Sequence, residues 1–313
     1  MSKATQPDKP LQMPDATDLV VAYLQKLQET GAARENWAPL LPFLFQLKGK
    51  PVTLNDYFPL MPLFNTKLPR ETLYICGRQV AKSQSTCFGA LLRGLAEPNY
   101  GILFVLPRFE MTRRFSANYV KPAITGSPLR GLFIDSNCEN SVLQKTLPNG
   151  SRLFFSFAFL DCDRCRGLSV DEVDYDEVQD FDPSFIDIIN ETMSASDWRT
   201  IRYTGTPKTL DNTIEGLRQR SSMAELVTKC GCGHWCIPST EYDAFGMIAG
   251  IDFILEHGTG LKCPACSRPV NPRNGRWIHR RRGKSFGWPG NIPRTAHCTW
   301  RPSAQSQTSP RRC

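Results

Sequence analysis

The run Cys76-Gly77-Arg78-Gln79-Val80-Ala81-Lys82-Ser83 puts a lysine and a serine at the start of a segment with helical character, residues 83–95. A short β-rich run, residues 73–76 (LYIC), leads into it. A loop between strand and helix aims backbone N–H groups at phosphate oxygens, and the helix N-terminus adds partial positive charge. Lys82 would meet the β- and γ-phosphates of a nucleoside triphosphate, and Ser83 would hold Mg²⁺. The standard pattern G-x-x-x-x-G-K-[ST] is not met, because Cys76 stands at the first glycine and Ala81 at the second. Spacing alone therefore reads equally well as a surface Lys-Ser pair opening a helix, and other residues must decide.

Hydrolysis at such a loop needs an aspartate for the Mg²⁺ shell and a carboxylate to orient or deprotonate the attacking water, both at the C-terminal end of a strand. Asp176-Glu177 in VDEVDYDEVQDF fits that place, with Asp171-Glu172 as a rival pair. The later pair is preferred because Val173 and Tyr175 form the alternating apolar half of a strand leading into it, while residues 178–181 can turn away as a helix. The strand is unusually acidic, and a mere solvated edge at Asp171, Glu172 and Asp174 is the competing reading. Next along the chain, IRYTGTPKT ends a strand in Thr204-Gly205-Thr206-Pro207. Small hydroxyl residues there can sense whether a γ-phosphate is present, although TGTP alone is merely a turn.

The elements that must position these groups follow from the pattern of the chain. Residues 15–30 carry Leu19, Val20, Tyr23, Leu24 and Leu27 at helical spacing, and residues 37–69 are rich in Pro, Phe and Leu without a steady period. The β-rich runs 73–76, 102–106, 153–159, 170–175 and 201–204 then alternate with longer helical segments, which predicts an α/β domain around a largely parallel sheet. Arg108, Arg113 and Arg114 follow one of these strands and read either as a DNA-backbone track or as an exposed helix face. Cys230 and Cys232 lie about thirty residues before Cys263 and Cys266, each pair near turn-forming residues; four thiolates so spaced can close a tetrahedral Zn²⁺ site. His234 or Cys236 can substitute in the first half, and buried or redox-idle cysteines are the competing reading. After about residue 271 the chain turns to Arg, Pro, Ser and Gly without hydrophobic period, as in a segment with little regular structure.

Composition bounds the rest. The 313 residues, 41% hydrophobic, are enough for a sizeable core. No apolar run approaches the roughly 18 residues of a membrane helix, and the N-terminus lacks a signal-peptide pattern, so an intracellular, soluble protein is expected. The formal charge is +8, yet no Asp or Glu follows Glu256, and the chain before that point carries more acidic than basic residues. Bulk charge therefore says little about the main domain.

The order GRQVAKS, then Arg166-Gly167, then Tyr175-Asp-Glu-Val-Gln-Asp180, then TGTP resembles the large terminase subunits of tailed bacteriophages, over roughly residues 48–277. Their phosphate loop commonly runs Gly- or Ser-Arg-Gln-x-Gly-Lys-Ser/Thr, from which Ala81 departs. With positive φ there, Ala81 would cost roughly 1 kcal/mol and weaken ATP binding. The resemblance implies an α/β P-loop NTPase fold of the ASCE/RecA-like kind, with a mostly parallel sheet flanked by helices and a small zinc-ribbon-like insertion. It implies an ATP- and Mg²⁺-dependent packaging motor for viral double-stranded DNA. Gly77, Arg78, Gln79, Val80, Ala81, Lys82 and Ser83 would bind nucleotide, with Arg78 acting in cis on the γ-phosphate. Ser83 and Asp176 would hold Mg²⁺, Glu177 would activate water, and Thr204, Gly205 and Thr206 would couple hydrolysis to DNA. Cys230, Cys232, Cys263 and Cys266 would hold a structural Zn²⁺. Implied partners are DNA, the small terminase subunit, the portal and procapsid, and further copies of the chain in a ring; no membrane is involved. The place of action would be the host cytoplasm, outside the virion.

The expected organisation is a helical and irregular region 1–47, the ATPase domain 48–225, the cysteine element 226–277 and a basic tail 278–313. Large terminases usually continue into a nuclease domain, which carboxylates must build. The absence of any after Glu256 leads to the expectation of a truncated form with a frame-shifted or disordered tail. Two other functions stay open at this stage: a helicase-type DNA-dependent ATPase on the same core, and a zinc-stapled DNA-binding remnant that no longer hydrolyses ATP.

Overall fold

The computed structural model describes residues 36–54, 58–206, 213–236, 261–271, 275–279, 281 and 295–300. The helix expected over residues 15–30 lies outside them. A hairpin of β1 (Gln46–Leu47) and β2 (Lys50–Pro51) comes first. The main-sheet strands follow: β3 (Glu71–Cys76), β4 (Gly101–Leu106), β5 (Gln144–Thr146), β6 (Arg152–Phe157), β7 (Glu172–Tyr175), β8 (Thr200–Gly205), β9 (Ala224–Lys229) and β10 (Trp235–Cys236). β11 (Leu261–Lys262) and β12 (Pro269–Val270) pair with each other, and β13 (Gly275–His279) and β14 (Thr295–Trp300) return to the main sheet.

The sheet order is β10-β9-β14-β3-β8-β7-β4-β6-β5, with β13 also on β9. Every pairing from β9 across to β6 is parallel, and only β5, β10 and β13 run antiparallel. β14 arises inside the stretch expected to lack regular structure; its sequence TAHCTW carries two β-branched residues and an aromatic, local strand propensity that the surrounding Arg, Pro and Ser obscure.

A parallel sheet is covered on both faces, and alternation along each strand divides its residues between two cores. Tyr74, Cys76, Ile102, Phe104 and Leu106 pack with Phe88 and Leu91 of the helix Lys82–Ala96. Leu73, Ile75, Leu103, Val105, Val173, Tyr175 and Tyr203 pack on the other face with Ile186 and Ile189 of the helix Pro183–Asn190 and Leu217 of the helix Thr213–Arg220. The Pro- and Phe-rich segment before β3 joins the first core: Phe45 stacks on Phe88 with ring centroids 4.4 Å apart. Residues on both sides of the expected boundary at 47/48 thus share one core.

In β7, Val173 and Tyr175 face the second core, so Glu172 and Asp174 face the helix Lys82–Ala96. They are buried, which corrects the reading of these carboxylates as a solvated edge. The missing partner is Arg93, in the last turn of that helix. Its guanidinium donates to both Glu172 oxygens, through Nε at 2.6 Å and through Nη2, and its Nη2 lies 3.6 Å from Asp174. The Tyr100 hydroxyl adds a donor to Glu172 at 3.1 Å. Burial would raise the Glu172 pKa, but Arg93 and Arg202 outweigh it and hold the carboxylate below its ordinary range. Burial and the Glu172 charge raise the Asp174 pKa well above its ordinary value, against the opposing charge of Arg93.

Removing one partner of a buried ion pair strands the other, at a cost of about 3–5 kcal/mol. Arg93→Met is therefore expected to lower the unfolding free energy by about that amount in urea melts. A loss under about 1 kcal/mol, the scale of an exposed pair, would show that this contact holds little.

Candidate functional site

The site lies where three neighbouring strands end: β3 opens into residues 77–81, β7 ends at Asp176-Glu177, and β8, between them, ends at Thr204-Gly205-Thr206. Ligands in open α/β sheets gather at such carboxyl ends. Val80 anchors the loop of residues 77–81 by burying its side chain in the first core, while Arg78 and Gln79 are exposed. Gln79 (φ 60°) and Ala81 (φ 59°) are both left-handed. The condition set for Ala81 is thus met: an L-residue occupies a conformation that favours glycine, at a cost of roughly 1–2 kcal/mol. Ala81 supplies no side-chain cap to the helix Lys82–Ala96, which leaves first-turn N–H groups for an anion.

Lys82, the first residue of that helix, places its Nζ 2.5 Å from Glu177 Oε1. Ser83 Oγ donates to Asp176 Oδ2 at 2.5 Å, and Thr204 Oγ1 donates to Asp176 Oδ1 at 2.7 Å. The Glu177 backbone N–H also reaches Asp176 Oδ1, at 3.0 Å. Burial pushes the Asp176 pKa up; Lys82 opposes the shift and Glu177 reinforces it, leaving a raised value. For Lys82, burial alone would lower the pKa, but Asp176 and Glu177 outweigh it and keep the ammonium charged.

Glu177 itself has φ 56°, a left-handed break that ends β7 and turns its side chain back toward the loop. The rival pair does not enter the site. Glu172 is held by Arg93, and Asp171 accepts from the Gly101 N–H at 2.8 Å and from Ser196 Oγ at 2.6 Å. At Gly205 the requirement for glycine is spatial: a Cβ would lie 2.5 Å from Gln179 Oε1 and 2.7 Å from Ile214 Cδ1. Sequence reasoning missed Gln179, which donates to Glu177 Oε2 at 2.6 Å and accepts from the Thr206 N–H at 2.9 Å. Its signal was a polar residue two places after Glu177, which read as part of a departing helix.

A second cluster stands at the β9 edge. The sulfurs of Cys230, Cys232, Cys263 and Cys266 all lie within 4.8 Å of one another, with Cys230–Cys266 at 3.6 Å and Cys232–Cys263 at 3.7 Å. Tetrahedral Zn–S bonds of ~2.3 Å would set sulfurs roughly 3.8 Å apart, so the donor set fits that ion. The Arg268 backbone N–H and side chain draw the Cys266 thiol down to about 6, toward the thiolate. His234 and Cys236 are outside the four-sulfur group.

Neither a protein-family model nor a curated protein matches the sequence. Among solved structures the chain is similar to the large terminase ATPase domain of Thermus phage P74-26, with 20% identity over 55% of this chain and 70% of that one and a TM-score of 0.41. It is similar to the large terminase of bacteriophage HK97, with 16% identity over 58% of this chain and 39% of that one and a TM-score of 0.47. A third is the large terminase of a thermophilic bacteriophage in complex with ADP, with 11% identity over 48% of this chain and 37% of that one and a TM-score of 0.38. These three solved structures, to which the chain is similar, are large terminases or their ATPase domain from different phages.

Proposed function

We propose that the chain is the ATPase part of a phage large terminase, hydrolysing ATP to drive double-stranded viral DNA into a procapsid. The observation that supports this most is the meeting of Lys82, Ser83, Asp176, Glu177 and Thr204 at adjacent strand ends. A hydroxyl and a carboxylate in contact are hard oxygen donors suited to Mg²⁺, which would be held by Ser83 and Asp176 and would neutralise phosphate charge. Lys82 and the N–H groups of residues 77–83 bind the β- and γ-phosphates, and exposed Arg78 is placed on a loop from which it can reach the γ-phosphate.

Glu177 orients the attacking water and takes its proton. Thr204, through its bond to Asp176, and Thr206, at the same strand end, pass the state of the site to the DNA-gripping surface. The small subunit, the portal and procapsid, and further copies of the chain in a ring are the proposed partners, in the cytoplasm of the host. The four cysteines bind one structural Zn²⁺. No helix among the described residues is long and apolar enough to cross a membrane.

Glu177→Gln keeps the shape but cannot take a proton, so DNA-stimulated ATP turnover should fall by roughly 10²- to 10⁴-fold. Unchanged turnover would remove Glu177 from its role. Ala81→Gly relieves left-handed strain and should raise the urea midpoint by an amount corresponding to about 1 kcal/mol, with ATP binding at least as tight. A lower midpoint would show that Ala81 is not strained in solution. Metal analysis should find one Zn²⁺ per chain. Cys263→Ser should lose it and become protease-sensitive between residues 224 and 279, while ATP affinity stays put; metal-free wild-type protein would refute the zinc assignment.

A further inference from the structure

We propose that Gln179 is a positioning residue that ties the Glu177 carboxylate to the end of β8, so that a movement of Glu177 is transmitted to Thr206. This rests on the ATPase reading above and adds the physical link between its catalytic carboxylate and its coupling segment.

Gln179 sits in the turn Val178–Asp180 just after β7 and is 7% exposed. A buried amide must satisfy both of its ends, and here each end meets a partner from a different strand end. The orientation of the amide is forced. The Thr206 N–H can only donate, so the oxygen of Gln179 faces it at 2.9 Å; the NH₂ then faces Glu177 Oε2 at 2.6 Å, an acceptor when ionised. The other Glu177 oxygen is held by Lys82. Lys82, Glu177, Gln179 and Thr206 therefore form one unbroken polar chain from the phosphate loop to the strand that lies between β3 and β7.

Packing sets this chain against the end of β8. The space a Cβ at Gly205 would need is already taken by Gln179 Oε1, at 2.5 Å, so the amide lies directly against the β8 backbone. It cannot shift without moving that strand end or breaking the Thr206 bond. Thr206 Oγ1 is buried with no hydrogen-bond partner among the described residues, so the hydroxyl supplies no competing hold. If Glu177 leaves Lys82 to face a water molecule, its second oxygen pulls on an amide whose far end is fixed to Thr206. This path is separate from the contact between Asp176 and Thr204, which follows the metal-binding carboxylate.

Two variants of the full chain break the link. Gln179→Met keeps side-chain volume and loses both hydrogen bonds; Gln179→Glu keeps an acceptor for Thr206 but faces Glu177 with a carboxylate oxygen instead of a donor. Both should bind ATP within about twofold of wild type while kcat falls roughly 10- to 100-fold, as expected for a misplaced catalytic group. The stimulation of turnover by double-stranded DNA should vanish in both, because Gln179→Glu keeps only the Thr206 arm and loses the Glu177 arm. Wild-type kcat and DNA stimulation in both variants would overturn the proposal. So would ATP affinity, melting temperature and kcat falling together, which marks a packing role alone. A wild-type chain that hydrolyses no ATP would instead overturn the ATPase reading, and this one with it.

Discussion

The site depends on one constraint: the helix Lys82–Ala96 is fastened to β7 at both of its ends. Its first turn meets the end of β7 through Lys82–Glu177 and Ser83–Asp176, and its last turn meets the beginning of β7 through Arg93–Glu172. The dimensions agree. Eleven residues of helix between positions 82 and 93 rise about 16 Å, and the four steps of strand between positions 172 and 176 span about 13 Å. Helix and strand therefore lie antiparallel and in register, and neither polar contact can slide without stranding a buried charge at the other end. The loop of residues 77–81 is held at a fixed height over the carboxylates because the far end of the helix that follows it is anchored.

Three of the eight non-glycine residues with left-handed φ among the described residues lie at the same place. Gln79, Ala81 and Glu177 are non-glycine residues with left-handed φ, two in the phosphate loop and one at the turn out of β7. Such conformations persist where the surroundings over-determine them. At Glu177 the break stops the strand and returns the carboxylate toward Lys82; a residue continuing in the extended conformation would carry that side chain to the other face of the sheet. At Ala81 the left-handed turn starts the helix early enough for Lys82 to be its first residue, one position before the predicted start. Local strain is thus exchanged for convergence of groups, and Arg93 helps to hold the strained ends together.

Much of this was legible in the residues. Runs of Leu, Ile, Phe and Val marked β3, β4, β6 and β8 to within a few residues, because buried parallel strands are nearly continuously apolar. Val173 and Tyr175 pointed to β7, and Asp176-Glu177 followed from the need for carboxylates at a strand end. The acidic half of β7 was misread because its explanation lies in Arg93, 79 positions away from Glu172 in the chain and without any local signature. Gln179 was invisible for a related reason: its role comes from two hydrogen bonds to residues of different strand ends, and neither has a period. The fourth zinc-type ligand stayed open between candidates until folding brought Cys232 rather than His234 or Cys236 into the sulfur group.

The cysteine element meets the sheet in a different way from Lys82, Ser83, Asp176 and Glu177. Cys230 follows β9 directly, and β10 and β13 lie antiparallel on that strand. β14 stands between β9 and β3 in the sheet order, and no residue of the sulfur cluster belongs to β3, β7 or β8. Among the described residues, Cys236 and Val270 are the other buried hydrophobic members packed with the sulfur cluster. A metal there would order the sheet's β9 edge while leaving the chemistry at β3, β7 and β8 to groups already fixed by the helix Lys82–Ala96.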